Sequence, residues 1–138
     1  MHTELITSEG SAFNGEAISV TIPSGMGEIT ILKNHIPLLS TVEPGTMIIR
    51  TVDDELLFAV SRGVIQVGPR GIRVLSDIAD RAETLDESVI EIAKARAEEL
   101  KSARREDSEE FAEASATLSK EIARLASVRR LRSRRRSS

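Results

Sequence analysis

A chain of 138 residues with 40% apolar side chains, a net charge of −3 and no cysteine has no disulfide, thiolate metal site or cysteine nucleophile. It has no Trp or Tyr and only three Phe (Phe13, Phe58, Phe111), so its core must come from Ile, Val, Leu and Ala. It holds no run of 18 apolar residues and opens on no basic-then-apolar leader, so neither a spanning helix nor a secretory signal is expected.

In chain order, Ala17, Ser19 and Thr21 alternate with Ile18, Val20 and Ile22, the period-two pattern of a strand with one buried face, and Pro23 is expected to end it. Shorter strand-like runs follow at Gly27 to Ile31, Met47 to Val52, Glu55 to Val60, Gly63 to Val67 and Ile72 to Leu75. Turn residues separate them: Ser24-Gly25, Pro44-Gly45, Asp53-Asp54 and Gly68-Pro69-Arg70-Gly71. None of the gaps has room for a crossover helix, so the six runs predict an all-β sandwich or barrel and not an α/β fold.

All eight Gly and all four Pro lie at or before Gly71. Their loss removes the strongest helix breakers where charge and alanine become dense. We therefore place the boundary between two domains at residues 82 and 83: 1–82 for the β domain, 83–138 for two helices and an arginine-rich tail. The first part carries a net charge of −4 and the second +1. Thr84 with Glu87 reads as the capping box of a first helix, whose apolar stripe is Val89, Ile92, Ala93, Arg96 and Leu100, thickened by Ala97 and Ala103. Arg104 to Ser108 interrupts it. Asp107 with Glu110 reads as a second box, before the stripe Phe111, Ala114, Leu118, Ile122 and Leu125. Two helices of about 18 to 20 residues, with Ala93, Ala97, Ala114 and Ala126 allowing close approach, predict an antiparallel hairpin. Such narrow stripes need burial against something else for stability.

No residue pattern supports catalysis, a metal or a cofactor. His2 and His35 are the only histidines, and neither has ligands at metal spacing. His35 reads as a structural imidazole or a partner contact. The glycine-rich turns are not followed by Lys-Ser/Thr or a helix, so they do not form a phosphate loop. Seven arginines (Arg124, Arg129, Arg130, Arg132, Arg134, Arg135, Arg136) crowd the C-terminal end without an acid among them. They would attract phosphates, anionic lipid or a carboxylate-rich protein surface. An acidic whole chain with no aromatic beside the cluster argues against nucleic acid and for the protein surface.

The stretch Gly25-Met26-Gly27-Glu28-Ile29-Thr30-Ile31-Leu32-Lys33-Asn34-His35-Ile36-Pro37-Leu38-Leu39, followed by Val42-Glu43-Pro44-Gly45, resembles the epsilon subunit of bacterial and chloroplast F-type ATP synthases. Phe58 to Val67 and Val74 to Ala79 extend the likeness over nearly the whole chain. The resemblance implies a sandwich of ten strands, four more than the alternation marks, followed by the helical hairpin. It also implies a non-catalytic central-stalk subunit, peripheral on the cytoplasmic face of the bacterial plasma membrane without inserting into it, that couples proton translocation to ATP synthesis. Its partners would be the gamma subunit, the ring of membrane c subunits and, when the helices extend to restrain hydrolysis, the alpha and beta subunits of the catalytic head.

Partner-interface candidates are His35, Pro37, Leu38 and Leu39 together with the seven arginines. Relatives that bind ATP carry Arg-Ala where this chain has Val89-Ile90, which removes a phosphate donor. The competing reading from another class is a free-standing cytosolic adaptor without enzyme activity.

Overall fold

The computed structural model describes residues 1–137; Ser138, the last residue of the arginine-rich tail, lies outside them. Ten strands come first: β1 (His2–Thr7), β2 (Gly10–Glu16), β3 (Ser19–Ser24), β4 (Gly27–Leu32), β5 (Leu38–Val42), β6 (Gly45–Arg50), β7 (Glu55–Val60), β8 (Gly63–Gly68), β9 (Gly71–Ser76) and β10 (Ala79–Arg81). A single 3-10 turn, Ala82–Thr84, leads into α1 (Glu87–Ser102) and α2 (Glu109–Ser137).

The strands run in the order β10-β7-β6-β3-β5-β8-β9-β1-β2, with β4 paired to β3 beside this path. All pairings are antiparallel except that of β1 with β9. β3 and β5 share a single register pair, Ser24 with Val42. There the sheet folds over, and the inward residues of its two halves close on one core. Leu5, Val20, Ile22, Ile31, Met47, Ile49, Phe58, Val60, Ile65 and Val74 are essentially inaccessible within it. Each fully buried side chain of this size contributes about 1.5–3 kcal/mol. The all-β sandwich and helical hairpin expected from the sequence are both present.

Two glycines are required by close approach. A Cβ at Gly63 would sit 1.8 Å from the Leu75 carbonyl oxygen on the neighbouring strand. At Gly71, where φ is +133°, it would sit 2.1 Å from the carbonyl oxygen of His2. Both let β9 lie between β8 and β1.

Several local expectations need correction. The strand around Val20 begins at Ser19 and continues through Pro23 to Ser24, because a proline carbonyl still accepts a bond, here from Glu43 N at 2.9 Å. It is buried on both faces: Ser19 and Thr21 lie covered beneath the Arg50 guanidinium, at 3.4 and 3.3 Å, while Ile18 is 54% exposed. The run expected to reach Val52 stops at Arg50, and β1, β2, β5 and β10 were not marked by alternation.

At α1 the cap is Asp86, not Thr84. The Asp86 carboxylate accepts from Ser88 N at 2.9 Å, which pulls its pKa down through the Ser88 hydroxyl and backbone donors. Thr84 Oγ1 is turned back to donate to the Arg81 carbonyl. At α2 Ser108, not Asp107, accepts from the backbone N–H three residues on, that of Phe111.

The hairpin uses the expected stripes in part: Ala93, Ala97, Phe111, Ala114, Leu118 and Leu125 are buried or half-buried as expected. In α1 the buried residues are Ile90 and Ala97, whereas Val89, Ile92 and Leu100 are 60%, 63% and 44% exposed. Ala97 is buried as expected, while Ile90, about 100° round the helix from Val89, takes the place of Val89 at the contact. In α2 Ala114 and Leu125 are buried as expected, but Ile122 is exposed and so is Ala126. The helices also differ in length, 16 residues against 29.

Candidate functional site

Two surfaces carry the candidate residues, and they do not converge. The first is the turn between β4 and β5. Asn34 adopts a left-handed φ of 69° and lets His35 N donate to the Leu32 carbonyl at 3.1 Å. The His35 ring is exposed, with Nδ1 donating to the Ile36 carbonyl at 2.7 Å. Pro37 is exposed and Leu38 half-buried, while Ile36 and Leu39 are 75% and 72% exposed.

This turn continues onto an open sheet face that sequence reading missed. Thr41 pairs with Val64, Val64 with Leu75, and Leu75 with Ile6, so these four side chains stand in one row across β5, β8, β9 and β1. Val64 and Leu75 are 43% and 49% exposed. Their alternation partners Ile65 and Val74 fill the core. Apolar residues on both faces of β8 and β9 were the available signal, because a strand with one solvated face carries polar residues there.

The second surface is the seat of the arm. Helix α2 packs on β6, β7 and the 3-10 turn, and α1 packs on α2. Ala123 and Ser127, both essentially inaccessible, bring α2 close to the sheet, where Ile48, Leu57 and Ala82 form a second small cluster with Leu131. Thr46 Oγ1 and Ser127 Oγ lie 2.7 Å apart inside it, and Ser127 also donates to the Ala123 carbonyl.

The tail arginines surround this cluster and bind the chain's own carboxylates. Arg124 Nε meets Asp80 at 2.8 Å and Nη1 meets Glu121 at 2.6 Å. Burial works against the Arg124 charge, but Asp80 and Glu121 outweigh it and raise its pKa. Arg130 grips Glu28 with both terminal nitrogens, at 2.9 and 3.3 Å, and holds that carboxyl below its ordinary range. Arg134 pairs with Glu55, which also holds Arg50. Arg129 reaches Glu87 and Glu91 of α1, each at 3.0 Å, and Arg132 pairs with Glu87, so the Glu87 pKa is lowered by Arg129 first and Arg132 second. Arg135 lies 4.0 Å from Glu83, and Arg136 is exposed.

Neither surface has the makings of a reaction centre. Among the described residues no three His, Cys, Asp or Glu side chains cluster as metal ligands. At the positions where nucleotide-binding relatives are expected to carry Arg-Ala, Val89 is exposed and Ile90 is buried. What the geometry offers is one partly exposed apolar face and one arm held down by ion pairs.

Residues 1–82 match the family model of the ATP synthase delta/epsilon chain β-sandwich domain. The chain is 38% identical over 138 residues to the ATP synthase epsilon chain of Herminiimonas arsenicoxydans, covering 98% of this chain and 97% of that one. It belongs to the ATP synthase epsilon chain family. The epsilon chain of Alkalilimnicola ehrlichii is 36% identical over 135 residues, covering 97% and 96% of the two chains. Among solved structures, a chain of the Euglena gracilis mitochondrial ATP synthase aligns over 85% of this chain and 74% of its own, with a TM-score of 0.71 and 18% identity, which speaks for the fold alone. As an epsilon chain the protein is a non-catalytic central-stalk subunit of an F-type ATP synthase, whose active sites lie on other subunits.

Proposed function

We propose that the sandwich is the coupling element, seated at the foot of the rotor on the cytoplasmic face of the bacterial plasma membrane, and that the arm is the regulatory one. The open face of Ile6, Val64 and Leu75, with the His35–Leu39 turn at its end, docks the gamma subunit and the ring of c subunits. The observation that carries this is the apolar row on β8, β9 and β1 in which Val64 and Leu75 are exposed and Ile6 is half-buried. Contiguous exposed apolar surface rimmed by polar residues, here Glu4, Gln66 and Arg73, marks a protein interface. The arm sits against β6 and β7, in the other half of the sheet, and leaves that row free.

The second helix restrains ATP hydrolysis when it leaves its seat and carries its arginines to carboxylates of the alpha and beta subunits. Support comes from the seat itself: it is small, and its long-range contacts are largely ion pairs that another acidic surface could replace. Nucleotide binding by this subunit plays no part in the release, since Val89-Ile90 supplies no phosphate donor.

Reconstituted enzyme carrying Val64→Glu with Leu75→Glu tests the docking face. Loss of co-purification with gamma and the ring, with an unchanged thermal transition of the isolated variant, is expected. Full assembly and coupling in that variant would overturn the assignment of the face.

A further inference from the structure

The arginines of α2 divide by direction, and the division has a physical consequence. Arg124, Arg130 and Arg134 point to the sandwich, where they meet Asp80 on β10, Glu28 on β4 and Glu55 at the start of β7. Ser127, hydrogen-bonded to Thr46, stands in the same line, and spacings of three, three and four keep all four residues on one helical face. Arg129 and Arg132 point away from the sheet, to Glu87 and Glu91 of α1. Helix α2 is therefore the middle layer of three, with one set of ion pairs below it and another above.

No carboxylate is shared between the two sets. Glu87 and Glu91 serve only the helix-to-helix set, and Glu28, Glu55 and Asp80 only the helix-to-sheet set. The apolar contacts divide likewise. Ala123, Leu131, Ile48, Leu57 and Ala82 fill the seat, while Ile90, Ala97, Ala114 and Leu125 lie in the hairpin stripes. The two interfaces therefore draw on different partners, although both are carried by α2.

We propose that the C-terminal arginines form two separable clasps: Arg124, Arg130 and Arg134 fasten the arm to the sandwich, and Arg129 with Arg132 fasten the hairpin shut. The arm can then swing off the sheet as an intact hairpin about residues 83–86, and α1 can part from α2 while α2 keeps its seat. The regulatory meaning rests on the stalk reading above, but the two clasps themselves are a property of the isolated chain.

The absence of native cysteine allows single-thiol reporters. Ser127→Cys places a thiol in the seat, where Ser127 is 0% exposed, and Ala97→Cys places one in the hairpin, where Ala97 is 3% exposed. Labelling rates of such thiols follow the opening equilibrium of the interface that covers them. In the full chain, Glu28→Gln with Glu55→Gln should speed labelling of S127C about fivefold, the effect of losing two exposed ion pairs, and leave A97C unchanged. Glu87→Gln with Glu91→Gln should do the reverse. Exchange of charges in Glu28→Arg with Arg130→Glu should return S127C to near its starting rate, which separates a clasp from a general loss of folding.

Equal acceleration of both thiols in either carboxylate variant, or of neither, would overturn the two clasps. Assembly of the same variants with gamma and the ring is a separate readout: its loss would count against the stalk reading and leave the thiol result standing.

Discussion

Thr46 and Ser127 are 81 positions apart, yet their hydroxyl oxygens meet at 2.7 Å in a site where both residues are buried. This bond ties the middle of α2 to the start of β6. Thr46→Val leaves the Ser127 hydroxyl its bond to the Ala123 carbonyl and should weaken docking by about 1 kcal/mol. Ser127→Val also puts a branched side chain where Ala123 and Ser127 allow close approach, and should cost more. Proteolysis of the arm measured against the thermal transition of the sandwich checks both, with the arm becoming sensitive first.

Docking should also respond to acid in a defined window. Arg130 holds the Glu28 carboxyl below its ordinary value of 4.5. A carboxyl whose pKa is depressed on docking contributes above its undocked value and loses that contribution as pH falls through the docked value. The helix-to-sheet clasp should therefore be constant from pH 8 to about 5.5 and weaken progressively below about 4.5. Labelling of S127C across that range is the measurement; Glu28→Gln should flatten the acid limb.

Gly63→Ala should be among the most disruptive single changes in the sandwich, because the new methyl would meet the Leu75 carbonyl at 1.8 Å. The β8–β9 pair must separate to accommodate it, at a cost of several kcal/mol. The midpoint of urea unfolding should fall accordingly. Phe58→Ala, at a side chain 1% exposed, should cost about 3–5 kcal/mol by the cavity it leaves.

Residues 1–82 should fold without the arm. Every buried member of the main core lies at or before Val74, whereas the arm covers the separate small cluster of Ile48, Leu57 and Ala82 together with Thr46. A chain ending at Ala82 should show a cooperative thermal transition at a somewhat lower temperature. The fragment 83–138 alone should be only partly helical, since its buried faces are narrow and one face of α2 packs on β6 and β7.

What the sequence determined by itself was whatever is local. The strand-like run Ile72 to Leu75, turn residues at Gly68 to Gly71, and the loss of Gly and Pro after Gly71 specify a strand, a turn and a helical arm before any contact is known. The likeness around Asn34-His35-Ile36-Pro37 supplied the family, because a motif is legible without a fold. Short strands such as β10 escaped, because three residues cannot display a period. The helix faces and the arginine partners required tertiary structure. Ala97 was legible as a close-approach residue of α1, but only the position of α2 selects Ile90 over Val89 and Ile92. The tail arginines read as seeking an acidic surface, and that surface is the chain's own: Glu28, Glu55 and Asp80 lie 102, 79 and 44 residues from Arg130, Arg134 and Arg124, and only the folded sheet brings them beneath the helix.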